Sequence, residues 1–272
     1  MQTTRSKSQM DLRSEDRSPL VIEIEMEKGF FRKASKYSNI LKTMLNVLII
    51  LIVHTGTGIA LILTMAKRPA LPSLPDTLQN LIPYMPYEKY VNILMLAMMV
   101  SEFIFIACDS RRWFIYRRTL AVYSLLSFLR VLTMTSTYLP DPSPNCPAIH
   151  DTTVEISIPR LWKALFGGIT CGDMIYSGHT MGFMFPGLIH HRFFNKKLGV
   201  LYLVLGFIGS FSLILTRFHY TVDVLLSIIL TTTMWFTYNL ICEHPSLYKS
   251  LPAWLSRYFY FMEWSEMGEE RD

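Results

Sequence analysis

A chain of 272 residues that is 51% hydrophobic and only 17% charged is too apolar for a single soluble core of ordinary composition. Its formal net charge of +5 sits in tails and connecting segments around long uncharged runs. That distribution excludes a secreted soluble domain and excludes reading the basic balance as a nucleic-acid-binding surface.

In chain order, residues 1–40 are rich in Ser, Arg, Asp and Glu and read as a disordered tail without the apolar core of a signal peptide. The first apolar run, 43–66, holds 24 residues with no Lys, Arg, Asp or Glu. A proline-rich exposed loop follows, and then a run between Lys89 and Asp109 whose one charge is Glu102. The run between Arg118 and Asp141 has Arg130 as its one charge. Residues 140–173 form a long connecting stretch, opening with Pro140-Asp141-Pro142-Ser143-Pro144 and closing with Gly167, Gly168 and Gly172. Uncharged runs at 174–191 and 198–216 come next, and a last run between Arg217 and Glu243 contains Asp223.

A hydrocarbon core about 30 Å thick takes about 20 helical residues to cross. These runs therefore predict an all-α polytopic membrane protein with six transmembrane helices in a domain spanning 41–242, followed by a C-terminal tail, 243–272. Lys and Arg decide the orientation. The N-terminal tail to Lys42 carries nine, 109–118 four, 192–197 three and the C-terminal tail three, against six on the opposite side. Both termini are expected in the cytosol. On that topology Cys146 and Cys171 share the lumenal or exoplasmic side, where a disulfide and two free thiols are both open readings. Cys108 and Cys242 end helices at the cytosolic face.

Two constellations carry candidate chemistry, both on the lumenal side. One is Cys171-Gly172-Asp173-Met174-Ile175-Tyr176-Ser177-Gly178-His179-Thr180, running into the fourth long helix. The other is His219-Tyr220-Thr221-Val222-Asp223, opening the sixth. His219 and Asp223 stand at i and i+4 on one helix face, where a carboxylate can orient an imidazole. The backbone N–H groups of Ser177 and Gly178 at a helix N-terminus suit a phosphate. His179 beside them is a candidate proton donor, and the set points to phosphoryl transfer through a phosphohistidine. Arg130 inside a helix needs a partner: either a phosphate, whose oxygens its fork matches, or a bridge to Glu102 or Asp223. Arg217 reads equally as a phosphate contact and as an interfacial anchor. His54, His150, His190, His191 and His244 read as packing or interfacial residues.

At these residues the sequence resembles the sphingomyelin synthase family of the lipid phosphate phosphatase superfamily. Residues 171–180 and 219–223 are similar to the family's third and fourth motifs. Pro72-Ser73-Leu74-Pro75-Asp76 is similar to the first, and the segment from Arg117-Arg118 through Arg130 to Thr137-Tyr138-Leu139-Pro140 to the second. The resemblance implies a transferase working without metal or other cofactor. It would move a phospho-head-group from phosphatidylcholine or phosphatidylethanolamine to ceramide at the lumenal or exoplasmic leaflet of the Golgi or plasma membrane, with the endoplasmic reticulum also open.

It makes His219 the nucleophile, Asp223 its orienter and His179 the acid and base. Arg130, Asp173, Tyr176, Ser177, Gly178, Arg217 and Tyr220 become candidate substrate contacts, the two tyrosines as cation–π partners of a head-group ammonium. Phe218 stands where relatives often carry an acidic side chain, which leaves the head group open among choline, ethanolamine and inositol. A lipid phosphatase or phospholipase C-like hydrolase, with water as acceptor, uses the same residues. A membrane scaffold or transporter gives no reason for the two histidine motifs to occur together.

Overall fold

A computed structural model describes residues 36–146, 156–166 and 171–264. The expected disordered tail lies outside the described residues as far as residue 35, as do Gly167 and Gly168. Every regular element among the described residues is helical: α1 (Lys36–Lys67), α2 (Thr77–Leu81), α3 (Glu88–Cys108), α4 (Arg112–Ser136), α5 (Ile158–Phe166), α6 (Gly178–Phe193), α7 (Lys196–Leu215), α8 (Thr221–Glu243), α9 (Pro245–Lys249), α10 (Ala253–Phe259) and a π-helical turn, Tyr260–Trp264. Five of these, α1, α3, α4, α7 and α8, are long and apolar enough to cross a membrane. The chain is an all-α polytopic membrane protein.

The expected fourth long helix starts later than its apolar run. Ser177 accepts the Thr180 N–H at 3.1 Å and caps α6, so residues 174–177 stay in the loop before it. The 16 residues of α6 rise about 24 Å, less than the thickness of a bilayer core. It is also the innermost helix, with every residue from Thr180 to His190 buried, as expected of a helix apolar on all sides. α3, α7 and α8 enclose it. α7 meets it through a face that includes Gly199, Gly206, Gly209 and Ser210, the small-residue surface that lets helices approach closely in lipid. α1 packs along α4. One charge within these helices is matched locally: Glu102 Oε2 of α3 lies 2.7 Å from His190 Nδ1 of α6, whose ring stacks on Tyr202.

The bundle has two distinct ends. At one, Arg111 donates to the Phe193 carbonyl at 2.7 Å, Arg192 pairs with Glu243, and the C-terminal segment folds back underneath. Glu263 Oε2 there accepts from Arg117 Nη2 at 3.2 Å and Arg118 Nε at 3.1 Å, while Phe259 and Met262 are buried. Such buried charges are tolerable because they are paired. The expected C-terminal tail is thus, from 245 to 264, a packed cap, and residues 265–272 lie outside the described residues. At the other end the loops 68–87, 137–146 and 171–177 converge on the start of α8. On the charge count the first end is expected in the cytosol, and an impermeant thiol reagent on sealed cells should then reach a cysteine at Ser73 and spare one at Arg112. Labelling in the reverse order would turn the bundle over.

Candidate active site

Two helix starts and three loops build the site. His219 enters just before α8, with its side chain 1% exposed. His179 is the second residue of α6, and the two imidazole centroids lie 5.7 Å apart. Neither ring nitrogen of His219 has a hydrogen-bond partner among the described residues. A buried polar group without a partner is costly, so this pair of nitrogens marks a place where a ligand belongs.

Asp223 is fully buried and does more than the helical spacing indicates. Its Oδ2 lies 3.8 Å from His219 Nδ1, beyond hydrogen-bond distance. Its firm bonds are to backbone: Oδ2 accepts the Tyr220 N–H at 3.0 Å and Oδ1 accepts the Ile175 N–H at 3.0 Å. One carboxylate thus caps α8 and ties down the loop that leads into α6. Each oxygen retains a lone pair, and Oδ2 is directed at the imidazole across a gap that catalytic pairs commonly close when substrate binds.

Arg130 reaches the site from α4, and its partner is neither Glu102 nor Asp223. Nη2 donates to Asp173 Oδ1 and Nε to the Tyr176 carbonyl at 3.1 Å. Burial works against the charged form of Asp173, but the Arg130 guanidinium and both histidines hold its carboxyl below the usual range. The guanidinium lies so close to the start of α6 that a Cβ on Gly178 would meet its Cζ and Nη1 at 2.8 Å. Glycine is the residue that lets the arginine fork sit at this helix N-terminus. Ser177 serves α6 as its cap, and its carbonyl accepts from Ser227 of α8 at 2.7 Å.

The remaining sequence candidates are placed differently. Tyr176 is fully buried and its hydroxyl donates to the Leu126 carbonyl. Tyr220, 3% exposed, accepts from the Leu74 N–H and donates to the Pro140 carbonyl, both at 2.9 Å. Both hydroxyls join loops and helices around the site. Arg217 turns away, donating to the Ile82 carbonyl at 2.9 Å. Phe218 lies against His179, ring centroids 4.9 Å apart.

Residues with no role assigned from sequence complete the frame. Asp76 accepts from the N–H and hydroxyl of Thr221, both at 2.7 Å, and from the Gln79 N–H at 3.1 Å. Gln79 in turn donates to the His219 carbonyl at 2.9 Å, so α2 is latched to the nucleophile candidate's own backbone. Burial opposes the charge on Asp76, but these bonds hold its carboxyl below the ordinary range. Asp-x-x-Gln is a helix-start signature and was the available signal for half of this latch. Asp141 accepts the Gly172 N–H at 2.7 Å, and burial pushes its carboxyl up. Beside it Cys146 and Cys171 form a disulfide, which resolves the open reading of the two thiols. These three residues are the one grouping of metal-ligating types among the described residues, and both of its sulfurs are spent in the disulfide.

Comparison with known proteins covers the same region of the chain. Residues 170–240, which hold both histidine motifs, match the family described as PAP2 superfamily C-terminal. The chain is 28% identical over 246 residues to phosphatidylcholine:ceramide cholinephosphotransferase 1 of Caenorhabditis elegans, covering 83% of this chain and 52% of that protein. It is 26% identical to sphingomyelin synthase-related 2 of the same organism, covering 66% of this chain and 61% of the relative. Phosphatidylinositol:ceramide inositolphosphotransferase of Oryza sativa subsp. indica is 29% identical, covering 57% of this chain and 48% of the relative. The chain spans about half to three fifths of the length of these relatives. Over most of its length it is a homologue of the sphingomyelin synthase-related and ceramide phosphotransferase proteins, with a PAP2-type C-terminal region carrying the paired histidines.

Proposed function

We propose that this protein is a phosphosphingolipid synthase, moving phosphocholine or phosphoethanolamine from a glycerophospholipid to the primary hydroxyl of ceramide. The observation that carries the reading is the buried His219 imidazole, both nitrogens without a partner among the described residues, facing a second histidine beside a buried Arg–Asp pair. The names of the relatives supply the lipid class and differ in head group.

In this mechanism Asp223 accepts a hydrogen bond from the Nδ1–H of His219, which leaves Nε2 free to attack the donor phosphorus. The phosphorus–oxygen bond to diacylglycerol breaks, and His179 gives its proton to the departing alkoxide. Now neutral, His179 takes the proton of the ceramide hydroxyl. The ceramide oxygen attacks the phosphohistidine, expels Nε2 and yields the product. The diester's own negative charge favours a protonated His179 in the first step, and Arg130 at the α6 N-terminus offers its fork to the phosphate oxygens.

Membranes containing the protein, given labelled ceramide and a defined donor, should yield phosphosphingolipid and diacylglycerol in equal amounts. Diacylglycerol or free phosphate released at the same rate without ceramide would make the protein a hydrolase. With the donors at equal concentrations, transfer from phosphatidylcholine or phosphatidylethanolamine is expected, and a strong preference for phosphatidylinositol would reject both.

Asp223→Asn carries its own expectation. An amide at this position sets one N–H against a backbone N–H and favours the wrong imidazole tautomer, so activity should fall by up to about 10⁴-fold. Normal activity would reduce Asp223 to a loop tie.

A further inference from the structure

The stretch between Pro140 and Asp173 is not simply an aqueous loop, because α5 lies inside it. α5 is closed off by the Cys146–Cys171 bond, and it packs low on α1. A Cβ on Gly58 would meet Leu161 at 3.0 Å and Leu165 at 3.2 Å, so glycine is what lets α5 approach this closely. Gly58 lies nine residues before Lys67, the end of α1, which is about 13 Å down the helix axis. That depth is nearly half the thickness of a hydrocarbon core.

The surface of α1 changes at the same level. Leu41, Met44, Leu45, Leu48, Leu51 and Ile52 are exposed along its first part, the surface a membrane helix shows to lipid. From Gly56 to Ala66 no side chain of α1 is exposed. α5 contributes to that cover: Ala164 is buried in one cluster with Ala60, Leu61 and Ile62 of α1 and Met134 of α4, with Leu161 and Val131 packed against it. The uncovered apolar surface then reappears on α5, where Ile158 is 83% and Trp162 67% exposed. The lipid-facing surface of the bundle is therefore continuous only if α5 carries it on this side.

We infer that α5 is a re-entrant helix embedded in the leaflet on the side of the paired histidines, with Ile158 and Trp162 against lipid acyl chains. Lys163, exposed on the adjoining face, has a side chain long enough to extend its ammonium from that depth toward the head-group phosphates. Val131 and Met134, which α5 packs against, lie within one turn of Arg130 on α4, so the helix forms the lipid-side wall next to the site. The inference does not rest on the proposed reaction, and its test does not read activity.

The full chain, in proteoliposomes, is compared with Trp162→Phe by tryptophan fluorescence. The quenchers are phosphatidylcholine brominated on its acyl chains and, separately, aqueous iodide. The difference signal belonging to Trp162 should lose most of its intensity to the brominated lipid and little to iodide. Quenching by iodide alone would put α5 in water and overturn the proposal. Protection from both quenchers that disappears on diluting protein into excess lipid would assign the face to a second copy and also overturn it. If Trp162→Phe does not insert, a nitroxide at Ile158→Cys in a Cys108→Ala background reads the same face. Relaxation by oxygen exceeding that by a water-soluble nickel chelate supports embedding, and the reverse order rejects it.

Discussion

Replacing His219 by Ala should abolish turnover to background, with the protein still inserted in the membrane. The imidazole is the proposed nucleophile, so its loss removes both half-reactions together and leaves the phosphate site without the atom that attacks. Folding should survive because the ring is not what holds this region. Neither ring nitrogen makes a hydrogen bond among the described residues. The local backbone is held instead by Gln79 on the His219 carbonyl and by Asp76 on Thr221. Transferase assays on protein quantified in the membrane, with protease sensitivity as the folding control, check both halves. Near-normal transfer by His219→Ala would refute the mechanism.

His179→Ala is expected to fall at least as far as the loss of general acid–base catalysis, about 10²- to 10⁴-fold. The nucleophile survives in this variant, but the diacylglycerol alkoxide departs without a proton and the ceramide hydroxyl attacks without a base. In the first half-reaction, read as the burst of released alcohol, the deficit should shrink for a donor whose leaving group is a weaker base, such as a nitrophenyl phosphodiester, because such an oxygen needs no proton to depart. An equal deficit with both donors would assign His179 to binding or packing against Phe218 and not to proton transfer.

The chemistry-bearing spacings were legible in the sequence because they are short. Ser177 two residues before His179, and His219 four residues before Asp223, stand at helix starts, where local geometry brings each pair to the same helix end. The long apolar runs were equally readable, since a bilayer demands uninterrupted hydrophobic length. What escaped depends on which segments meet in space. Arg130 and Asp173 are 43 residues apart, and a charge inside a helix announces the need for a partner without naming it. Asp76 and Thr221 are separated by 145 residues, and Glu263 and Arg117 by 146.

Tyr176 and Tyr220 illustrate the converse. Aromatic residues next to catalytic motifs suggested head-group contacts, but their hydroxyls found backbone partners first. α5 was hidden for a different reason, being nine residues long in a stretch bounded by proline and glycine, too short to register as a membrane segment. Asp223 shows how much a spacing leaves out. The i,i+4 rule identified its neighbour, and the structure adds that both carboxylate oxygens are engaged by backbone N–H groups of the two helix-leading segments.

Whether the phosphoryl group passes through His219 is read from the stereochemical course at phosphorus. A donor lipid made chiral at phosphorus with sulfur and an oxygen isotope, turned over with ceramide, yields a product whose configuration counts the displacements. Two in-line steps through a phosphohistidine predict overall retention. Inversion would mean that ceramide attacks the donor directly, and His219 would then be no nucleophile.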